Sequence, residues 1–299
     1  MNPRILIIAC LALVVLGCQH AQSPTASAAT TTRPTLAAAT QSADPRELTV
    51  MTFNLRYASI KPPNAWWQRR SVMRDCIRSV NPDVFGTQEG LYPQLKDIEA
   101  DQDGQYAWIG LGRDGGSKGE FMAVFYRKSR LDPIAYDHFW LSDTPNVIAS
   151  TTWGNSNRRM VTWVRFKDRQ TGREFYYWNT HLDHQIQAAR EKSAQLIRQR
   201  LEALNTTLPI ILGGDFNAMA KSNKAYDILT EGGFVKDTWT GDEAGTFHDF
   251  TGTANPRLGR IDWIFTRGDV TPESTQIIRF QENNQYPSDH FPVAAKLRL

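Results

Sequence analysis

Short apolar segments of this sequence repeatedly end in carboxylate, amide or imidazole side chains. The clearest is LPIILGGDFN, residues 208–217, where a β-branched run leads through Gly213 and Gly214 to Asp215 and Asn217. Glycines before a carboxylate let the backbone turn sharply and approach another group, and α/β proteins usually place their sites at the carboxyl ends of strands. Alone, the segment fits either such a site or a strand followed by a simple Asx turn.

Four other segments favour a site, because each ends in the same kind of side chain. They are TFNLR with Asn54, GTQE with Glu89, NTHLDH with His181, and YPSDH with Asp289 and His290. The repetition weakens the explanation by a simple turn.

These residue types suit the hydrolysis of a phosphate ester. A phosphodiester resists attack because its charge repels nucleophiles, so an enzyme supplies a cation, a group that prepares water, and donors for the developing charge. Glu89 and Asn54 offer hard oxygen ligands, and a sparse oxygen set suits Mg²⁺ or Mn²⁺, which leave room for the substrate. Each residue alone also fits a plainer role, Asn54 in an Asx turn and Glu89 as an exposed carboxylate.

Helices and strands must position these residues. They alternate in the first part of the chain, and the later part consists mainly of strands. Helices are predicted at 66–80, 91–99, 185–204 and 225–229. Strands are predicted at 48–54, 84–87, 106–110, 121–126, 160–166, 175–180, 208–212, 261–266, 277–280 and 292–299. Because several strands follow one another without helices, antiparallel pairs are required, and the predicted fold is α/β with two packed mixed sheets flanked by helices.

The first residues have the layout of an export signal. Arg4 precedes an uncharged apolar run over 5–16, which is shorter than the ~20 residues needed to cross a bilayer. The following VLGC resembles the lipobox of bacterial lipoproteins, which implies removal of residues 1–17 and lipidation of Cys18. The alternative is cleavage among the alanines at 21–29, which would give a soluble secreted protein.

Residues 18–46 are predicted to form a flexible tether, because they are rich in Ala, Thr, Ser and Pro and nearly lack large apolar side chains. One domain is expected over 47–299, since no later segment has a linker composition. Cys76 has no partner if Cys10 is removed and Cys18 acylated. It lies on the apolar side of a helical pattern and is predicted to be a core residue.

The charge balance argues against a large nucleic-acid interface. The formal charge is +3, and removal of residues 1–17 would leave +2 because that segment contains Arg4 and no acid. Nonspecific duplex binding needs many phosphate contacts from a basic stripe. The longest Lys/Arg runs are pairs such as Arg69-Arg70, so only a local contact with nucleic acid stays open.

Six motifs occur in one order across residues 48–299: TFNLR, TQE, NTH, GDFN, RIDWIF and SDH. Their order resembles the endonuclease/exonuclease/phosphatase family, the deoxyribonuclease-I-like metal-dependent phosphohydrolases, in a bacterial exported branch. The resemblance implies a four-layer α/β sandwich with its site at one end of the paired sheets. It also implies a hydrolase acting on phosphate ester bonds.

The resemblance implies roles for the strand-end residues. Asn54 and Glu89 would hold the metal ion, Mg²⁺ or Mn²⁺, with Asp289 near it. Asp215 would orient or deprotonate the attacking water, and Asn217 would bind a phosphate oxygen.

The resemblance also implies two supported histidines. His290 would be held by Asp262, which fixes one ring nitrogen so that the other faces the phosphate. Whether Asp215 or the His290 pair is the base stays open. His181 would be the second phosphate-facing imidazole, and Glu120 matches the place of the glutamate that supports it in pancreatic deoxyribonuclease.

The cluster around HLDH departs from the nuclease pattern. Arg159 matches a phosphate-binding arginine, although Arg158 beside it leaves the register open. Asp183 and His184 would shape substrate choice or bind a further ion, while Asp183 could equally cap the following helix. HxDH also resembles part of the metallo-β-lactamase motif, a two-zinc hydrolase, but that motif needs a histidine where Asn179 stands.

The expected function is a phosphodiesterase or phosphatase acting on a small or exposed phosphate ester at the cell envelope. The alternatives are a secreted nuclease of the same fold, with nucleic acid as substrate, and a lipid-anchored binding protein without catalysis. A binding protein would have lost metal or base positions, and none of them is lost here. A monomer anchored to the membrane by its lipid is expected.

Overall fold

The structure is a computed structural model that describes residues 44–299. The predicted signal, Cys18 and almost all of the predicted tether lie outside these residues. Within them, no helix is long and apolar enough to cross a membrane.

The described part of the chain contains fourteen strands and four α-helices. The strands are β1 Glu47–Asn54, β2 Val84–Gln88, β3 Gly90–Leu91, β4 Tyr106–Ile109, β5 Glu120–Phe121, β6 Val124–Arg127, β7 Leu131–Trp140, β8 Met160–Asp168, β9 Glu174–His181, β10 Ile210–Asp215, β11 Lys236–Asp237, β12 Asp262–Arg267, β13 Thr271–Ile277 and β14 Val293–Arg298. The helices are α1 Trp66–Val80, α2 Tyr92–Asp101, α3 Gln187–Ala203 and α4 Lys224–Thr230.

Two six-stranded mixed sheets form the centre. The first has the order β13-β14-β1-β2-β6-β4 and the second β11-β12-β10-β9-β8-β7. Only β1 with β2 and β9 with β10 pair in parallel within these sheets, and the other pairings are antiparallel. Each sheet therefore has a central parallel pair whose carboxyl ends lie at the same edge.

Three apolar clusters hold four layers together. One packs α1 and α2 on the first sheet and contains the predicted core residue Cys76. A second lies between the sheets, around Val50, Val164 and Ile211. The third packs α3 and α4 on the second sheet, around Trp178 and Trp263. The predicted α/β sandwich of two packed sheets flanked by helices is confirmed.

Polar groups also join the two sheets behind their carboxyl ends. The hydroxyl of Tyr177 donates to the Met51 carbonyl at 2.7 Å and accepts from the Gly86 N–H at 2.9 Å. The Asn179 amide donates to the Thr87 and Ala123 carbonyls at 2.8 and 2.9 Å. Because these groups are buried and hydrogen-bonded, they fix the relative placement of the strand ends.

Three strand predictions were wrong. Strand β7 was missed because it is an exposed edge strand whose Asp132, Pro133 and Asp137 resemble turn residues. The predicted strand 121–126 is split into β5 and β6. The strand predicted at 277–280 ends at its first residue, because the apolar residues beyond it pack on the cluster under α1 and the real strand is the polar β13.

Candidate active site

Four strand ends bring the predicted polar residues together. Asn54 ends β1 and Glu89 follows β2 directly, while His181 ends β9 and Asp215 ends β10. In the parallel register Asp215 lies opposite His181. Glu89, His181 and Asp215 line one pocket of about 400 Å³ at this edge. The Asn54 amide donates hydrogen bonds to Glu89 and Asp215. The structure thus places these predicted site residues at one edge of the paired sheets.

Asp215 lies at the centre of the site. Its Oδ2 accepts from the Asn54 amide at 2.9 Å and lies 3.5 Å from His181 Nε2 and 3.9 Å from His290 Nε2. Burial, followed by the charge of Asp262, raises the pKa of Asp215 to about 7. A carboxyl with that pKa can exchange a proton near neutral pH.

Local backbone geometry explains the residue types around Asp215. A Cβ on Gly214 would lie 2.2 Å from the carbonyl oxygen of Thr180, so the close approach of β10 to β9 requires glycine. Asn217 has a φ of 47° and Glu89 a φ of 61°, a region that few residues other than glycine adopt. Such positions cluster at functional sites, where the surroundings hold them in place.

His290 is paired with Asp262 as predicted. Its Nδ1 is 3.0 Å from Asp262 Oδ2, and Asp262 lies directly opposite Asp215 in the β10–β12 register. Burial opposes a charge on the ring, but Asp262, then Asp215 and Asp289, outweigh it and raise the pKa of His290. The ring is therefore held in its positively charged form, with Nε2 facing Asp215.

His181 is held in the neutral form by different neighbours. Burial, and then the charge of Arg159, keep its pKa well below the ordinary value. Its Nε2 accepts from the Asn217 amide at 3.0 Å, and its Nδ1 has no hydrogen-bond partner among the described residues. The predicted support by Glu120 is wrong, because Glu120 pairs with Arg113 at 2.6 Å.

Arg159, rather than Arg158, is the arginine of the pocket. Its side chain is 4% exposed and lines the pocket, while Arg158 is 42% exposed and pairs with Asp114. Nη2 of Arg159 lies 3.1 Å from His184 Nδ1, but Nε and Nη1 have no hydrogen-bond partner within residues 44–299. A buried guanidinium with open donors is a site for a planar or tetrahedral anion.

Asp183 and His184 play different parts. Asp183 Oδ1 accepts from the backbone N–H groups of Gln185 and Ile186 at 2.9 and 2.7 Å, just before α3 begins. Its Oδ2 lies 3.8 Å from Nε of Arg159. Asp183 therefore shapes the chain at the helix start and balances Arg159, whereas His184 is exposed and lines the pocket.

The opposite wall of the pocket carries the predicted metal ligands. Glu89 and Asp289 both face Arg56, whose guanidinium is 4.0 Å from Glu89 and 3.6 Å from Asp289. Burial, and the nearby charge of Glu89, raise the pKa of Asp289, although His290 acts against this. Two clustered carboxylates that face a partly exposed arginine fit a hard divalent cation. The amide nitrogen of Asn54 donates to Glu89 at 3.1 Å. For Asn54 to bind a cation, its amide group would have to rotate so that the oxygen faces the ion.

A second group of ligand types is a weaker metal site. Asp215, Asp262 and His290 each offer an atom within 4.8 Å of the others. However, His290 Nδ1 is already bonded to Asp262, and Mg²⁺ prefers an all-oxygen set. This trio suits proton transfer, and the wall of Glu89 and Asp289 suits the ion.

Sequence reasoning missed three polar residues of the pocket: Arg56, Arg113 and Asn157. Arg56 could have been found, because it closes the TFNLR motif two residues after Asn54. Arg113 and Asn157 come from irregular loops without a recognisable motif, and only the folded structure places them beside Arg159.

Comparison with known proteins finds relatives that share this fold. The sequence profile described as Endonuclease/Exonuclease/phosphatase family matches residues 51–290. An endonuclease/exonuclease/phosphatase family protein from Bacteroides thetaiotaomicron superposes with a TM-score of 0.78 at 34% identity, covering 84% of this chain and 97% of that one. A mannosyl-6-phosphatase of Bacteroides thetaiotaomicron VPI-5482 superposes with a TM-score of 0.78 at 33% identity, covering 84% and 100%.

Curated relatives are more distant. An uncharacterized protein of Acanthamoeba polyphaga mimivirus is 27% identical over 180 residues, which are 56% of this chain and 66% of that protein. The chain thus spans just under two thirds of that relative's length.

Proposed function

The chain belongs to the endonuclease/exonuclease/phosphatase family, a family of phosphoester hydrolases, and on that premise we propose that it is a divalent-metal-dependent hydrolase of a small phosphate ester. The observation that carries the proposal is Arg159. Two of its guanidinium nitrogens are buried without a hydrogen-bond partner in the described structure, beside a pocket that also contains Arg56 and Arg113. Buried N–H groups without an acceptor are costly, and a bound phosphate would accept their hydrogen bonds.

We assign different roles in hydrolysis to the residues of the pocket. Asp215 accepts the proton of the attacking water, because its pKa lies near neutrality and its Oδ2 faces the centre of the site. His290, kept charged by Asp262, donates from Nε2 to a phosphate oxygen. Arg159 and Asn217 hold the phosphate. A divalent cation at Glu89 and Asp289 would polarise the phosphate and offset its charge.

The size and charge of the molecule favour a small substrate. The pocket of about 400 Å³ has the scale of a small-molecule site. The formal charge of the whole chain is only +3. The related mannosyl-6-phosphatase makes a sugar phosphate the first substrate to test. From the VLGC motif we further propose that the protein is exported to the cell envelope and held there by a lipid on Cys18, and we propose separately that it is a monomer.

A substrate panel tests the proposal. The full chain is incubated with mannose 6-phosphate, other sugar phosphates, small diesters and plasmid DNA, with Mg²⁺ or Mn²⁺ or with excess chelator, over a salt series. We expect phosphate release or cleavage of at least one small ester, little effect of salt on that substrate, and loss of activity in chelator. Rapid plasmid nicking that collapses with added salt would instead indicate a secreted nuclease. No turnover of any ester would favour a binding protein.

A further inference from the structure

Arg69 lies behind the active site and makes an unusual set of contacts. Its side chain is fully buried, and none of the hydrogen bonds it donates goes to a carboxylate. Instead, all acceptors are backbone carbonyl groups: Asn64 at 2.9 Å, Leu55 at 3.0 Å, Pro287 at 2.6 Å, Arg56 at 3.1 Å and Tyr57 at 3.2 Å. These five bonds use every N–H donor of the guanidinium.

Four of the five acceptors belong to two segments that carry site residues, and the fifth, Asn64, lies just before α1. The first, Asn54 to Tyr57, follows β1 and contains Arg56, which faces Glu89 and Asp289. The second, Pro287 to His290, contains Asp289 and His290. The two segments are more than two hundred residues apart in sequence, and Nη1 of Arg69 bonds to both of them.

Ser288 makes a second connection between the same segments. Its hydroxyl donates to the Asn54 carbonyl at 2.7 Å and accepts from the His290 N–H at 3.2 Å. The carbonyl of Asn54 and the backbone of His290 are therefore linked through one buried side chain. Arg69 acts on the main chain directly beside the candidate metal ligands and the charged histidine, and the Ser288 hydroxyl also lies 3.2 Å from Asp289 Oδ1.

We propose that Arg69 and Ser288 are positioning residues that clamp segment 54–57 to segment 287–290, so that the metal-binding wall and His290 keep the spacing that turnover requires. The inference rests on the proposed function. Displacements of about 1 Å in such a site can cost about 100-fold in rate. A lysine at position 69 has three donors instead of five and would release part of the clamp.

A second buried arginine provides a matched control. Arg127 is 6% exposed and also donates to backbone carbonyls, those of Asn81 and Pro82, and to the Tyr106 hydroxyl. It ends β6 beside the start of β2, because Tyr126 pairs with Val84, whereas the site lies beyond the other end of β2. Its guanidinium also bonds to the Gln105 and Asn81 side chains and lies 3.8 Å from Asp83, so its loss removes buried polar contacts without touching either clamped segment.

The experiment compares the full chain with its Arg69→Lys, Ser288→Ala and Arg127→Lys variants. Thermal unfolding reports stability, initial rates on the preferred ester report kcat and KM, and calorimetric titration with Mn²⁺ in the absence of substrate reports metal affinity. We expect Arg69→Lys to lower kcat at least ~10-fold and to weaken Mn²⁺ binding at least ~5-fold. Arg127→Lys should lose comparable thermal stability but keep kcat and Mn²⁺ affinity within about twofold.

Ser288→Ala keeps the inference testable if Arg69→Lys does not fold, because it removes a single hydroxyl and leaves the contacts of Arg69 in place. It too should lower kcat and Mn²⁺ affinity. Unchanged kcat and metal affinity in folded Arg69→Lys or Ser288→Ala, or equal losses in Arg127→Lys, would overturn the proposal. If the wild type turns over no ester, the proposed function is wrong, and the Mn²⁺ titrations still decide whether the clamp positions the ligands. A wild type that binds no Mn²⁺ contradicts both.

Discussion

His181 and His290 both face Asp215, yet their surroundings move their pKa values in opposite directions. His290 bonds to the Asp262 carboxylate, which outweighs burial and keeps the ring charged. His181 is buried near Arg159 and has no carboxylate within hydrogen-bond distance of its Nδ1 among the described residues, so it stays neutral. One carboxyl thus has a cationic donor on one side and a neutral imidazole on the other, which favours Asp215 over His290 as the base.

Substitution of Asp262 by Asn tests whether Asp262 controls the protonation of His290 and Asp215. The negative charge of Asp262 raises the pKa values of both His290 and Asp215, so its removal lowers both. His290 then loses its proton as the pH rises through a lower range, and Asp215 becomes ionised at a lower pH. We expect kcat to fall by about 10²–10⁴-fold and both limbs of the pH–rate profile to move towards acid. A profile with the wild-type limbs would argue that Asp262 does not control these groups.

Arg159 and Arg158 provide a test at adjacent positions. Lysine cannot reproduce the planar set of donors that Arg159 offers, so Arg159→Lys should lower kcat/KM by about 100-fold. Arg158 pairs with Asp114 at the surface, and Arg158→Lys should change kcat/KM by less than twofold. Steady-state kinetics on the same small ester provides the comparison. Equal effects of the two substitutions would remove Arg159 from the phosphate site.

Among the elements, the strands of the site could be predicted, whereas the edge strands β7, β11 and β13 could not. Strands β1, β9 and β10 are buried on both faces, so their apolar runs and abrupt polar ends are visible in the sequence. Strand β7 is buried only at its two ends and shows no two-residue alternation between them, and its pairing with β8 is decided by tertiary contacts. The sequence signals of the strands that carry the site are thus clearer than those of the strand at the edge of the sheet.

Close packing of β10 against β9 predicts different effects for alanine substitutions at its two glycines. A Cβ at position 214 would meet the Thr180 backbone carbonyl at 2.2 Å, and backbone cannot move aside as a side chain can. At position 213 the nearest atom is the Tyr177 hydroxyl, at 3.1 Å. We therefore expect Gly214→Ala to lower the free energy of unfolding by about 3 kcal/mol or more, and Gly213→Ala by less. Denaturant unfolding of both variants measures the difference, and the reverse order would contradict the β9–β10 geometry.

For the molecule as a whole, ordered motifs predicted the site better than they predicted individual contacts. Asp262 and His290 are separated by 28 residues, and their pairing was expected from the family resemblance. Glu120 was expected to support His181, but Arg113 lies in the loop before it and takes its carboxylate. Arg69 was not predicted, because a helical arginine next to Arg70 resembles any solvated pair. Only the packing of the 287–290 segment against segment 54–57 reveals its contacts.

The most direct test of the whole account is a Mg²⁺ titration of phosphate release from a small ester by the wild type and by Glu89→Gln. Glu89 and Asp289 supply the anionic wall of the proposed metal site, and glutamine keeps the shape of Glu89 while removing its charge. We expect the variant to remain folded, to need at least ~10-fold more Mg²⁺ for half-maximal rate, and to have a lower maximal rate. Equal titration curves for the two proteins, or full wild-type activity in excess chelator, would contradict metal-dependent hydrolysis at this pocket.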